Sequence, residues 1–198
     1  MSIKTKYKER KITMKKARVI ITALFTIIIM SCCTYAESTA NKNAKNAYEK
    51  YVNVAKNSGR GYFVAYKDIT GDGVVEMLLS YHPECTGSGY RDQLFTYKNG
   101  KAKKLYQEDE YGLDKLTRYS NGLVCHGAGH GNEWYKYYKM SGGKYKLVAM
   151  KARTTNGKWN YSNGKGTTYS KSKFSSIKNE IKTGKARSIT SKDMKFVW

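Results

Sequence analysis

The sequence is poor in residues that stiffen, cross-link or neutralise a chain. One proline in 198 residues, Pro83, excludes a proline-rich linker or a collagen-like repeat, and four cysteines are too few for a disulfide-dense scaffold. Acidic side chains are scarce, 15 against 37 Lys and Arg, so the net charge is +22 and an acidic solvating tail is excluded. Three histidines leave little room for metal or acid–base chemistry. The main apolar run, VIITALFTIIIM from Val19 to Met30, has 12 residues where a membrane-spanning helix needs about 20. What the chain does have is 40% hydrophobic residues, 18 Tyr and 18 Gly. That is too apolar for disorder and long enough for one domain plus an extra segment.

The extra segment is N-terminal. Lys15, Lys16 and Arg18 precede the apolar run, and small residues with cysteines follow it, the three-part pattern of a bacterial secretory signal. MKKARVII from Met14 is a complete signal start by itself, which makes Met14 an alternative to Met1. Two processing readings stay open. Ile29-Met30-Ser31-Cys32 resembles a lipobox with an atypical Met30, Cys32 receiving the lipid, while Thr34-Tyr35-Ala36 fits ordinary cleavage before Glu37. Residues 1–36 hold eight of the basic and one of the acidic residues, so residues 37–198 keep 29 and 14, a net charge of +15. The expected organisation is a signal over 1–36 and one secreted domain over 37–198, or a lipoprotein anchored to the outer face of the membrane.

In the domain, Ala44, Ala47, Tyr48, Tyr51, Val52 and Ala55 form one helical stripe ended by Asn57-Ser58-Gly59. Strand-like runs follow at 62–66, 74–81, 93–98, 101–106, 121–126, 133–140, 144–150 and 158–165, punctuated by Asn99-Gly100, Ser141-Gly142-Gly143 and Asn163-Gly164. Asn-Gly between two strands predicts a type I′ hairpin, which needs positive φ at both central residues. Phe174, Ile177 and Ile181 predict a short helix, and MKFVW a last strand. The fold expected is α+β: an N-terminal helix packed on a mainly antiparallel β-meander of six to eight strands, with a short C-terminal helix.

The most chemically specific stretch is Asp68-Ile69-Thr70-Gly71-Asp72-Gly73-Val74-Val75-Glu76. Asp68, Thr70, Asp72 and Glu76 carry side-chain oxygens at positions 1, 3, 5 and 9, Gly73 permits a sharp turn, and the Val74 carbonyl supplies a further oxygen. A hard cation takes six to eight such ligands, so the pattern points to Ca²⁺. The alternative is a tight turn in which Asp68 caps its own backbone. Leu79 stands where a complete EF-hand has its bidentate Glu. The loop resembles the calcium-binding hairpins of FG-GAP and VCBS-type β-propeller proteins, with Thr70 replacing their usual Asp or Asn. The wider order, from the AYEKY helix through FVAYKDITGDGVVEMLL and FTYKNGKAKKL to WYKYYKM, is similar to small uncharacterised secreted proteins and lipoproteins of Gram-positive anaerobes. That resemblance implies an envelope or extracellular setting.

Other constellations are weaker. Cys85 and Cys125 can pair in an oxidising compartment, or stand as two buried thiols. With His82, His126 and His130 they supply zinc-type ligands, but without the tight paired spacing of zinc fingers. Cys125, His130 and Glu133 have the residue types of a thiol hydrolase. Gly127, Gly129 and Gly131 lack the strand-to-helix context of a phosphate cradle. Trp134, Tyr135, Tyr137 and Tyr138 alternate with lysine, presenting either rings and cations on one face or ordinary core. No nucleic-acid-binding signature occurs. Two functions follow: a calcium-stabilised, non-enzymatic module whose cationic, tyrosine-rich face binds an anionic cell-wall polymer or glycan, and, as the alternative, a small secreted hydrolase using Cys125, His130 and Glu133. A membrane enters only through the lipid anchor, and the sequence is silent on oligomeric state.

Overall fold

The computed structural model describes residues 37–83, 89–110, 113–129, 131–154 and 157–198. The N-terminal segment read as a signal, with Cys32, lies outside them, as do Cys85 and His130. Thr39–Trp198 form one compact unit.

Helix α1 (Thr39–Lys56) carries the expected stripe and buries Ala44, Tyr48, Val52 and Ala55. It lies on a sheet of five antiparallel strands in the order β11-β1-β2-β3-β4, with β1 Tyr62–Lys67, β2 Glu76–Tyr81, β3 Tyr90–Lys98, β4 Lys101–Glu110 and β11 Lys195–Val197. A second antiparallel sheet runs β10-β5-β6-β7-β8-β9, with β5 Leu113–Tyr119, β6 Gly122–Gly129, β7 Asn132–Ser141, β8 Lys144–Thr154, β9 Asn160–Ser162 and β10 Arg187–Thr190. Helix α2 (Lys171–Ile181) is N-capped by Ser170, whose side chain accepts from the Lys173 amide.

The layers follow from which residues each face buries. Tyr48, Val52, Met77, Leu79 and Phe95 cluster under α1. Leu78, Leu94 and Tyr106 of the first sheet meet Leu116, Leu123, Cys125 and Tyr138 of the second. Val124, Tyr137 and Ala149 meet Phe174 and Ile181 of α2. The order is therefore helix, sheet, sheet, helix. Strand β2 is buried along its whole length because both its faces are covered, which is why EMLLSY reads as a continuous run instead of alternating. The Tyr48 ring is fully buried, and its hydroxyl donates to the Val75 carbonyl at 3.0 Å, so the polar end of a buried aromatic is satisfied.

The α+β class, both helices and the expected hairpins are present: Asn99 and Gly100 have φ of 53° and 74°. The strands differ in number and arrangement. Eleven occur among the described residues, split between two sheets instead of one meander of six to eight. The sequence reading misses β5 and β10, which pair with each other at the second sheet's edge. Both carry Lys or Arg among few apolar residues, and only Leu116 and Ile189 are fully buried, so alternation gives little signal.

Candidate functional site

The loop between β1 and β2 gathers its own polar groups. Asp68 accepts from the Gly71 and Gly73 amides, and Asp72 from the Val74 amide. Glu76 is turned into the protein. Its two oxygens accept from the Ile69 and Thr70 amides at 3.0 and 3.1 Å and from the Thr70 and Thr96 hydroxyls at 3.2 and 3.0 Å. Burial pushes the Glu76 carboxyl up, and the amide and hydroxyl donors oppose that. The Thr70 carbonyl accepts from Arg118 at 3.3 Å and Arg187 at 3.1 Å, two residues of the second sheet. Among the described residues no three His, Cys, Asp or Glu side chains are grouped so as to hold a metal. The five expected calcium positions thus share one loop, but Glu76 points inward while Asp72 is exposed.

The Cys/His/Glu set separates. Cys125 stands opposite Lys136, and Ala128 opposite Glu133, so Cys125 and Glu133 project from opposite faces of the β6–β7 hairpin. Cys125 is completely buried between the sheets, and burial drives its thiol far up. It offers no nucleophile to solvent. His126 faces away from Cys125, and His82 stacks on Tyr90 in the other sheet with ring centroids 4.0 Å apart. No zinc-type arrangement forms among the described members of the set.

The lysine–aromatic strand β7 divides by face. Trp134, Lys136 and Tyr138 point between the sheets, where Lys136 is 7% exposed and pairs with Glu108 at 3.5 Å. Tyr135 and Tyr137 point outward, and Phe174 of α2 covers Tyr137 with ring centroids 5.3 Å apart. Tyr135 lies half-buried at the edge of that cluster. Across the sheet at its level stand Lys115, His126 and Lys151, in register on β5, β6 and β8.

These groups make a compact surface of rings and cations. The His126 ring lies 4.4 Å from that of Tyr135. The Lys151 ammonium sits 4.1 Å from the Tyr135 centroid and 3.9 Å from that of Trp159, and the Arg153 guanidinium is 4.6 Å from Trp159. Glu133 binds Arg153 at 2.8 Å and His126 at 3.4 Å. Asp114 lies 3.8 Å from the other His126 nitrogen, so the two carboxylates flank His126, Glu133 orients Arg153, and Lys151, Lys115, Lys178 and Lys182 keep the surface cationic. Partial burial holds the Lys151 amine below its usual range; Glu133 opposes this, and Lys182, Lys178 and Arg153 add to it. Lys182 is lowered similarly, by burial and by Lys178 and Lys115. An anion bound beside these lysines offsets part of their mutual repulsion.

Comparison with known proteins adds no family: no family model, no curated protein and no solved structure matches the chain. Of this surface, sequence reasoning singles out Glu133 and Tyr135 and weighs His126 only as a zinc ligand, and it misses Lys151, Arg153 and Trp159. Trp159 and Arg153 reach the same place only because β9 folds back on β8, and the alternation of Lys151 and Arg153 on one strand face was the available signal.

Proposed function

We propose that the protein is an exported, non-enzymatic module of the cell envelope whose outer second-sheet face binds an anionic polymer, a wall polymer or an acidic glycan. The observation that carries this reading is Lys151 held between Tyr135 and Trp159, with Arg153 beside it and Lys115, Lys178 and Lys182 near enough to be felt electrostatically. Rings fix the cations in place at little entropic cost, and phosphate or carboxylate groups supply the missing charge. Export rests on the basic, apolar and small-residue order of residues 15–36. Cys32 lipidation would keep the module at the outer membrane face, and cleavage before Glu37 would release it.

Calcium belongs to the same proposal as a stabilising ion, not a reactant. The contiguous oxygen donors of the loop sequence, from Asp68 to Glu76, support it. The decisive experiment on the ligand is retention of residues 37–198 on immobilised polyglycerol phosphate, polyuronate, neutral dextran and duplex DNA. Retention on the first two, weakened by salt and by Lys151→Ala with Arg153→Ala, is the expected result. Equal binding to dextran, or binding to DNA alone, rejects the reading.

A further inference from the structure

A second interaction surface lies on the first sheet, whereas the cationic face belongs to the second. Phe196 of β11 stands opposite Phe63 of β1, and ring contacts extend the pair into a strip: Trp198 to Phe196 at 5.3 Å, Phe196 to Phe63 at 4.9 Å and Phe63 to Tyr90 at 5.9 Å. Strand β11 is the edge of its sheet, with β1 as its one neighbour among the described strands. Trp198 is 85% exposed and Phe196 46%. A bare aromatic edge is a liability in water and marks a surface that meets something else. The Phe196 ring rests against Gly61, where an added side chain would collide with it, so the strip is seated on the backbone instead of hanging free.

Cations frame the strip. Lys195 precedes Phe196 on β11, Lys192 lies in the turn that leads into β11, and Arg60 precedes Gly61. All three are exposed, and none is in an ion pair among the described residues. The carboxylate of that turn, Asp193, is already engaged by Lys67 at 2.9 Å. Against these three cations the chain 37–198 sets one terminal carboxylate beside Trp198. Long basic side chains lie along apolar surface and lift their charged heads past it, so they and the rings can meet one boundary together. That boundary suits an anionic bilayer better than a sugar. A pyranose stacks on a flat ring face, but neighbouring rings here are turned 49°, 65° and 81° to one another and share no plane. The membrane–water interface makes no such demand: it takes amphipathic rings at headgroup level, while anionic lipids attract the flanking cations.

We infer that the β11 edge docks the domain on an anionic lipid bilayer, with Trp198 and Phe196 entering the boundary between headgroups and acyl chains and Lys192, Lys195 and Arg60 meeting lipid phosphates. The contact needs no lipid on Cys32, and it is separate from polymer binding because Lys151 and Arg153 lie on the other sheet. The test uses residues 37–198 with vesicles of phosphatidylglycerol or of phosphatidylcholine, followed by co-sedimentation and tryptophan fluorescence. The anionic vesicles should bind about tenfold or more tightly than the neutral ones, since surface charge acts only in the former. Brominated acyl chains should quench the parent protein but not Trp198→Phe. Phe196→Ser with Trp198→Ser should weaken vesicle binding about tenfold and leave retention on polyglycerol phosphate unchanged, whereas Lys151→Ala with Arg153→Ala should do the reverse. The quenching arm keeps the test decisive if the double serine variant does not fold. Absence of binding to phosphatidylglycerol, equal binding to phosphatidylcholine, or quenching that persists in Trp198→Phe overturns the inference. So does vesicle binding that is lost with Lys151 and Arg153 but kept without Phe196 and Trp198. A shift of Trp198 fluorescence with dextran or polyuronate and none with vesicles would make the strip a sugar site and equally overturns it.

Discussion

Arg187 donates to the Thr70 carbonyl at 3.1 Å, and its guanidinium occupies the space that a side chain on Gly71 would fill. An edge strand of one sheet thus holds the loop of the other. Gly71 also has a φ of 84°, a conformation costly for other residues. Gly71→Ala should therefore cost about 1–3 kcal/mol, combining backbone strain with displacement of Arg187. Urea unfolding measures this, and an unchanged midpoint would mean that the clamp contributes nothing.

The calcium proposal is checked by melting curves. A ligand that binds only the folded state at a hundredfold excess over its Kd adds about 2.7 kcal/mol. Millimolar Ca²⁺ should raise Tm, EDTA should reverse the rise, and Asp72→Ala should remove it. Indifference to both additives in the parent protein would leave the loop as a turn satisfied by its own amides.

Lys67 binds Asp193 at 2.9 Å, and Asp193 also accepts from the Thr190 amide at 2.8 Å. The Lys67 ammonium, and then the Thr190 amide, hold the Asp193 carboxyl below its ordinary value. A depressed carboxyl stabilises the fold above its unfolded value of about 3.9, and that contribution disappears as pH falls through the lower folded value. Acid unfolding followed from pH 5 to pH 2 should show less pH dependence in Asp193→Asn than in the parent chain. Identical curves would mean that the pair does not couple to folding.

Burial of Cys125 makes a chemical prediction. After reduction, iodoacetamide should modify Cys125 only at the rate of global opening, and denaturant should accelerate labelling sharply. Peptide mapping identifies the site. Rapid labelling of native Cys125 would contradict its place between the sheets, and mapping without reductant tells whether Cys85 and Cys125 are bridged.

On the cationic face, Lys151→Ala and Arg153→Ala should each weaken polymer binding about threefold to tenfold, roughly 0.6–1.4 kcal/mol. Trp159→Ala should weaken it too, by releasing both cations from the ring. Raising ionic strength should narrow these differences, since exposed charges are screened over about 8–10 Å in 0.1–0.15 M salt. Variants that bind as the parent does would move the site elsewhere.

Local signals made the helices and hairpins legible. The stripe from Ala44 to Ala55 and the Asn99-Gly100 turn each express their geometry within a few residues. Partition into two sheets is not local: EMLLSY announces burial on both faces but not what covers them. The same holds for the sites. Asp68 to Glu76 is contiguous, so its oxygen donors are legible as a cluster, whereas Lys151 and Trp159 meet Tyr135 through pairings set by the whole sheet. The apparent proximity of Cys125 and Glu133 along the chain was misleading, because the alternation of the strands puts them on opposite faces.

Strand β11 pairs with β1, bringing Val197 beside Tyr62. The edge of the first sheet therefore cannot form until well over a hundred intervening residues have been delivered. Pairing across so long a loop is slow, since chain closure must precede any gain from contact. Under the export proposed above, such delay would be useful: the segment already outside would lack its final strand, and the segment still inside would have no partner on which to fold prematurely.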